Sequence, residues 1–316
     1  MKKEVAIAKL AKCVKNALPR AGRFILLLLK IMIPISFAMR LLQFFGVIDI
    51  FADFVQPLFT LIGLPGDASL VFMTSVFLPL YPAIAVMTSI ALSVRQATIL
   101  AVMCLITHSL PIECTITTKT GSKWWQMVLL RISASFLMAF VLNMVMPADE
   151  TMFALSTPLT DQTTFGQVMK LFALSSLKLA GLIVIIVVTL IFLQTLLEEF
   201  DMLNTISIPF KPLMIVMGLP TASALQWLVG NVFGLSYGGA MLIDQVERGY
   251  ITKNDANLMN WHLSISHSLL EDTILFAMMG IGVEWLIFPR LFLAIIVVWS
   301  YRLLVSLQIK INQIEK

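Results

Sequence analysis

Histidine and carboxylate side chains gather at two places in a chain that is otherwise apolar. His108 and Glu113 lie at the end of one apolar segment, and His267, Glu271 and Asp272 lie within another. An ionisable group inside a lipid bilayer is energetically costly, so such residues are candidates for function. Histidine titrates near neutral pH and binds metals. These groups are therefore suited to bind a divalent cation, relay protons or hydrogen-bond a polar solute.

His267 and Glu271 are four residues apart, a spacing that places them on one face of a helix. Together with His108 and Glu113 they predict two related His–carboxylate sites that face a central cavity. Metal binding stays open at this stage, and these four residues are the candidate ligands. A structural alternative also stays open, in which these groups satisfy one another and the backbone of nearby helix breaks. No organic cofactor is expected.

Two stretches that end at these sites, residues 63–113 and 218–272, are copies of one another. Gly63-Leu64-Pro65 recurs as Gly218-Leu219-Pro220, and His108-Ser109-Leu110 recurs as His267-Ser268-Leu269. Further matches keep their order, with an offset that grows from 155 to 159 residues. An internal repeat in an apolar chain is typical of membrane transporters, whose binding sites lie near the bilayer midplane between the repeats.

Glycine and proline interrupt both copies. The first is broken at 63–66 and at 78–82, and the second at 218–220, at 230–234 and at 238–239. The segment between the two breaks of the first copy, 67–77, is 11 residues long, too short to cross a bilayer at 1.5 Å per residue. Interrupted backbone at membrane depth needs shelter inside protein or beside a water-filled cavity. The sequence therefore predicts two re-entrant helical hairpins beside a polar site.

Polar side chains within the hairpins are the predicted solute ligands. They are Ser69, Thr74 and Ser75 in the first copy and Gln226 and Asn231 in the second. Ser75 and Asn231 are expected to occupy equivalent places. These five residues complete the candidate binding set begun with the histidines and carboxylates above.

The composition requires a membrane. Of the 316 residues 59% are hydrophobic and 13% are charged, whereas soluble domains carry about 25% charge. We expect an all-α polytopic fold with about six spanning helices: Phe24–Phe45, Gln96–Pro111, Met127–Met146, Val168–Leu197, Asn257–Met279 and Val283–Leu304. Two arginines near helix ends, Arg40 and Arg290, are expected to extend their charge to the membrane surface.

The six predicted spans and two repeats divide the chain into four regions. Residues 1–23 are expected to form an amphipathic helix on the cytoplasmic face, 24–147 and 167–310 to hold one repeat each, and 148–166 to form an external loop. Lysine and arginine fall in the amino-terminal tail, at 119–123, at 211 and after 302. By the positive-inside rule both termini are cytoplasmic, and the two repeats have opposite orientations in the membrane.

The second copy, GLPTASALQWLVGNVFGLSYGGAM, resembles the Gate, or nucleoside-recognition, domain family. That family includes the membrane part of ferrous iron transport protein B and spore maturation proteins A and B, and concentrative nucleoside transporters carry a more distant relative. The resemblance lies in Gly218, Gly230, Asn231, Phe233 and Gly234, and the first copy follows the pattern less closely. It implies a transporter-like fold of two Gate units in a bacterial cytoplasmic (inner) membrane.

Two functions remain open. One is a secondary transporter or permease for a small polar solute, either nucleoside-like or a metal ion, and the other is a non-transporting membrane partner or regulatory subunit. No HExxH or GxxxxGK[ST] motif occurs and the chain has only 3 histidines, so neither an enzyme nor nucleotide-driven transport is expected. The expected partners are membrane lipid and the solute or ion. Homo-oligomerisation is left open, and no nucleic acid is expected.

Overall fold

The computed structural model describes residues 2–149, 151–156 and 164–314, so part of the predicted external loop at 148–166 lies outside the described residues. The described residues form helices joined by turns and short irregular segments, with an isolated bridge between Ser93 and Met152. Its α-helices are α1 Lys2–Phe44, α2 Val47–Thr60, α3 Ala68–Phe77, α4 Leu80–Met87, α5 Val94–Thr107, α6 Leu110–Lys119, α7 Trp124–Val145, α8 Phe165–Glu199, α9 Met202–Ser207, α10 Lys211–Val216, α11 Ala224–Glu247, α12 Lys253–Ser266, α13 Glu271–Ala277 and α14 Val283–Ile314.

Several segments have the length and composition needed to cross a bilayer. In the described chain these are Lys9–Phe44, Trp124–Val145, Phe165–Glu199, Val283–Gln308 and Val94–Lys119, the last of which joins α5 to α6 across a break at His108-Ser109. The predicted all-α fold with multiple membrane-length helices is confirmed. The sixth predicted span, Asn257–Met279, is divided into α12 and α13, neither of which is long enough to span alone.

Two predicted boundaries are absent. Residues 2–20 are helical as expected, but α1 continues without interruption through Phe44, so no separate surface helix ends near residue 23. Pro19 and Pro34 lie inside α1 and do not end it. The polar segment at 115–123, which follows the predicted end of the second span at Pro111, is helical up to Lys119 because α6 carries the chain onward from Leu110.

The chain folds into two compact units that are interleaved in sequence. Unit 1 comprises Met1–Leu110, Ser135–Phe200 and Ile274–Leu286, and unit 2 comprises Pro111–Ala134, Asp201–Thr273 and Ile287–Lys316. Within unit 1, α1 packs along α8 and against α4, and α3 packs against α4 and α5. Two lysines of α1 meet the acidic end of α8: Lys9 Nζ donates to the Glu199 carbonyl at 3.2 Å, and Lys12 Nζ lies 2.9 Å from Glu199 Oε2.

Arg40 in unit 1 does not extend to the membrane surface as predicted. Its side chain is buried, and Nη1 donates a hydrogen bond to the carbonyl of Ser89 at 3.5 Å. The same carbonyl accepts a hydrogen bond from Gln43 Nε2 at 3.1 Å. The carbonyl lies just after the carboxyl-terminal end of α4, so the guanidinium stabilises a helix end inside the protein instead of reaching lipid headgroups.

Unit 2 is built around α11 and α12, which pack on each other. Its apolar core includes Met214, Trp227, Leu228, Met259 and Leu263. The Phe210 and Trp227 rings pack against this core with their centroids 5.4 Å apart. This packing fixes the amino-terminal arm of α11 against α12, and the polar residues singled out in the sequence project from these two helices.

Candidate functional site

The first repeat contains a sharp break after α5. The helix begins with a capping box in which Ser93 accepts a hydrogen bond from the Gln96 backbone N–H, and it ends at Thr107. His108 then adopts φ −59° and ψ 152°, and Ser109 adopts a left-handed φ of 50°. The Ser109 N–H donates to the carbonyl of Ser75 in α3 at 2.9 Å. The break in α5 is therefore tied to the first hairpin.

The second repeat contains the same break after α12. Thr252 caps this helix by accepting a hydrogen bond from the Asp255 backbone N–H, and the helix ends at Ser266. His267 adopts φ −62° and ψ 165°, and Ser268 adopts a left-handed φ of 54°. The Ser268 N–H donates to the carbonyl of Gly230 in α11 at 3.1 Å.

The two breaks agree in side-chain contacts as well as backbone. In each, histidine Nδ1 lies near the carbonyl four residues earlier: Cys104 for His108 at 3.2 Å and Leu263 for His267 at 2.7 Å. Each repeat thus carries a 14-residue capped helix that stops at a His-Ser pair. The Ser109 and Ser268 N–H groups bind the carbonyls of Ser75 and Gly230, so these two residues are equivalent in the two repeats. The predicted equivalent of Ser75, Asn231, is therefore off by one residue.

The hairpins are real breaks, but glycines 230, 238 and 239 are not their break points. In the first hairpin the helix is interrupted at Leu78, whose φ of −125° and ψ of 163° are extended. In the second the helical path is interrupted at Gly234, with φ 78° and ψ 174°. Gly230 and Gly238 are helical and touch: a Cβ atom on Gly238 would lie 2.6 Å from the Gly230 Cα. These glycines permit the two arms of α11 to pack closely.

A buried charge cluster lies in unit 2. Glu113 Oε2 is 2.5 Å from Arg131 Nη1 and 3.4 Å from His267 Nε2, and all three side chains are buried. The carbonyl of Leu263 can only accept a hydrogen bond, so His267 Nδ1 carries a proton and Nε2 is the atom that faces the carboxylate. The predicted pairing of histidine with a carboxylate is therefore present at His267, but its carboxylate comes from the first repeat.

A second arginine repeats this arrangement 159 residues later. Arg290 is fully buried, donates to the His267 carbonyl at 3.2 Å and to Thr273 Oγ1 at 3.0 Å, and interacts electrostatically with Asp272. It corresponds to Arg131, which hydrogen-bonds Cys114. The prediction that Arg290 reaches the membrane surface is wrong, because three buried partners hold it inside.

Sequence reasoning missed Arg131 and the role of Arg290. The offset of 159 residues, read from His108 and His267, also pairs Glu113 with Asp272 and Arg131 with Arg290. Extending the repeat alignment past the histidines would have found both arginines.

The predicted face shared by His267 and Glu271 does not exist. α12 ends at Ser266 and α13 begins at Glu271, so no continuous helix joins the two residues. The left-handed backbone at Ser268 redirects the chain between them. The i to i+4 spacing implies a common face only where the helix is unbroken.

The hairpin residues divide into satisfied and unsatisfied groups. Thr74 Oγ1 and Ser75 Oγ donate to carbonyls of their own helix, at 2.7 Å each. In contrast, Ser69 Oγ, Gln226 Oε1 and Asn231 Oδ1 are buried and have no hydrogen-bond partner among the described residues. A buried polar atom left unpaired costs about 1–3 kcal/mol, so these three atoms call for a functional reason.

His262, which was not among the predicted ligands, belongs with this second group. Its Nδ1 lies 2.8 Å from Ser266 Oγ and accepts a hydrogen bond from Trp227 Nε1 at 3.4 Å. Because an indole N–H only donates, Nδ1 is the acceptor and Nε2 of the neutral ring carries the proton. Nε2 is buried and has no partner among the described residues. Unit 2 therefore holds one unpaired donor together with the unpaired acceptors of Gln226 and Asn231.

Comparison with known proteins supports a location in the membrane. The chain is 27% identical over 271 residues to "Uncharacterized membrane protein YvoD" of Bacillus subtilis (strain 168), covering 84% of this chain and 86% of that protein. The chain is a multi-pass membrane protein. No protein-family model matches this membrane protein, and no solved structure matches it.

The membrane setting raises the importance of the buried charges. Arginine and carboxylate groups within membrane-length helices are rare and pair with one another or with backbone carbonyls. Arg131 pairs with Glu113, whereas Arg290 interacts with Asp272 and also donates to the carbonyl freed where α12 ends. Arg290 therefore stabilises interrupted backbone that lipid cannot solvate. These arginine contacts have a structural role. Gln226, Asn231 and His262 remain as the groups suited to contact a solute.

Proposed function

We propose that this membrane protein is a secondary transporter, a permease for a small polar solute, located in a bacterial cytoplasmic membrane with both termini on the cytoplasmic side. The observation that carries the proposal is the unpaired set in unit 2. Gln226 Oε1, Asn231 Oδ1 and the Nε2–H of His262 are buried without partners among the described residues. A polar solute that accepts one hydrogen bond and donates others would pair with them.

The broken helices support transport over a static role. Paired breaks in repeated units are the usual source of solute sites in transporters, because freed backbone groups and half-helix ends line a cavity. Here His108-Ser109 and His267-Ser268 break two helices in the same way. The resemblance of residues 218–241 to Gate domains supports the same class of function.

A neutral solute fits this set better than a divalent cation. The Nε2–H of His262 points a positive hydrogen at any ligand held beside it, which favours an acceptor oxygen or nitrogen. The Glu113 carboxylate, a predicted metal ligand, is in contact with the Arg131 guanidinium, whose charge would repel a cation. A nucleoside-like solute, neutral and rich in hydrogen-bond donors and acceptors, suits the set.

Flux in vesicles tests the proposal. The purified protein would be reconstituted, and uptake of a panel of nucleosides would be compared with uptake of Mn²⁺, Fe²⁺ and Zn²⁺. We expect nucleoside uptake above that of protein-free vesicles, and a loss of about tenfold in Asn231→Ala, because one buried hydrogen bond is removed. Asn204→Ala, at an exposed asparagine of unit 2, is the matched control and should transport normally.

Three outcomes would contradict the proposal. Cation uptake without nucleoside uptake would assign the wrong solute class. Equal flux in Asn231→Ala and Asn204→Ala would show that the unpaired set does not contact the solute. No uptake of either class, with no change in thermal stability on adding them, would favour the non-transporting membrane partner.

A further inference from the structure

A groove of about 540 Å³, lined by both apolar and polar side chains, lies in unit 2 between the amino-terminal end of α12 and the carboxyl-terminal end of α14. Two cations line it, Arg302 and Lys310, together with Asn254, Asn257 and Ser306. Arg302, Ser306 and Lys310 follow one another at four-residue intervals, so they form one stripe along α14. No carboxylate occurs among the described residues that line the groove. It therefore presents two positive charges without a balancing negative charge.

The groove lies at the end of a membrane-length segment. The apolar part of α14 is Val283–Gln308, so Arg302 and Lys310 stand on either side of its end. Trp299 is half-exposed one turn earlier, and its Nε1 donates to the Val216 carbonyl at 2.9 Å. Tryptophan and arginine at a helix end are typical of the headgroup region of a bilayer.

The groove is held in shape by contacts within unit 2. Arg302 Nη1 donates to the Gly218 carbonyl at 2.7 Å, and its guanidinium lies 5.4 Å from the centroid of the Trp299 ring. Asn257 Nδ2 donates to the Tyr301 hydroxyl at 2.9 Å across the groove floor. A guanidinium has five N–H donors, so the bond to Gly218 fixes Arg302 while other N–H groups remain for a ligand.

An apolar surface adjoins the charged groove on the same helix. Leu303 and Leu307 are exposed on α14, each one residue after a member of the charged stripe. We propose that the groove binds the headgroup phosphate of an anionic phospholipid, with Arg302 and Lys310 contacting the phosphate and the acyl chains lying along these two leucines. A small soluble anion would use the charges and leave the apolar surface unused. Basic pockets at the cytoplasmic ends of helices are where anionic lipids bind membrane proteins.

The test uses the full chain purified into nanodiscs of phosphatidylglycerol mixed with phosphatidylcholine. Native mass spectrometry would then count the lipids that stay bound. We expect retained phosphatidylglycerol to exceed retained phosphatidylcholine, and Lys310→Glu to lower phosphatidylglycerol retention at least about fivefold. The matched control is Lys123→Glu, an exposed lysine on the predicted same side of the membrane, which should retain lipid normally. Lys310 is exposed, so its substitution leaves the core intact.

Each alternative result overturns the lipid site. Equal phosphatidylglycerol retention in Lys310→Glu and Lys123→Glu would show that the groove does not bind this lipid. Equal retention of phosphatidylglycerol and phosphatidylcholine would show that binding does not require a negatively charged headgroup. A thermal shift with inorganic phosphate in detergent as large as that with phosphatidylglycerol would identify a soluble-anion site instead. Arg302→Lys provides a second variant: it keeps the charge and loses the guanidinium fork, so we expect partial retention. None of these results depends on transport.

Discussion

Gly238 packs directly against Gly230, eight residues earlier in α11, with no space for a side chain between them. A Cβ atom on Gly238 would lie 2.6 Å from the Cα and 2.9 Å from the N of Gly230. Eight residues of uninterrupted helix would separate these positions by about 12 Å, so the contact exists only because Gly234 reverses the chain. Three glycines therefore define the hairpin: Gly234 reverses the chain, and Gly230 and Gly238 let its two arms pack closely.

Gly238→Ala should destabilise the second hairpin. The added methyl group meets backbone atoms, which cannot move aside as a flexible side chain can, and overpacking of this kind costs about 1–3 kcal/mol. Thermal unfolding in detergent would measure the loss. Gly181→Ala is the matched control, because Gly181 also lies within a helix and an added methyl group there would have no atom within 4 Å. It should be neutral or stabilising by up to about 1 kcal/mol. Similar melting temperatures for the two variants would refute the contact.

Gln226→Met should stabilise the protein while reducing transport. Methionine has nearly the shape of glutamine and favours helix, and it removes a buried Oε1 that has no partner among the described residues. The melting temperature should therefore rise and solute uptake should fall. Gln245→Met on the same helix is the control, and it should alter neither property strongly. A fall in both stability and uptake would mean that Oε1 is bonded within the protein.

The sequence predicts the helical breaks well because their signals are local. Proline beside Leu78 and glycine at 234 mark the hairpins, and the recurring His-Ser-Leu marks the ends of α5 and α12. The repeat alignment also indicates where polar side chains lie, and three of the five predicted hairpin ligands carry a buried oxygen without a hydrogen-bond partner among the described residues. Their contact with a solute stays a prediction.

The charge cluster is harder to predict because its members come from distant segments. Glu113 and Arg131 are 18 residues apart on different helices, and His267 joins them from the other repeat. Periodicity relates residues only within one unbroken helix, which is why Glu271 was wrongly placed beside His267. The burial of Arg40 and Arg290 was missed because hydropathy does not show which helix face meets protein and which meets lipid.

Cysteine labelling should place two loops on opposite sides of the membrane. Lys123→Cys lies after α6 and Met152→Cys lies before α8, and both positions are exposed. The three native cysteines are buried, so a membrane-impermeant maleimide should leave them unmodified. In intact cells we expect Met152→Cys to react and Lys123→Cys to react only after permeabilisation, as the positive-inside rule requires. Labelling of both in intact cells would contradict the predicted opposite orientation of the repeats.

Removing one partner of the Glu113–Arg131 pair should cost far more than removing both. Arg131→Met leaves a buried carboxylate without its counter-charge, a change worth about 3–5 kcal/mol, and Glu113→Gln leaves a buried guanidinium. The double variant removes both charges and should recover most of the lost stability. Unfolding of the four proteins forms a double-mutant cycle. The control cycle uses Lys12 and Glu199, whose ion pair includes an exposed lysine and should couple by only about 0–1 kcal/mol.

The double variant also separates a structural role from a role in transport. If Arg131→Met combined with Glu113→Gln is stable and still moves solute, the pair only stabilises the broken helices. If it is stable and inactive, the charges take part in transport, because loss of folding no longer explains the loss of flux. A coupling energy as small as that of Lys12 and Glu199 would contradict the buried ion pair itself. We expect strong coupling, because Glu113 and Arg131 contact each other where neither lipid nor water can replace the partner.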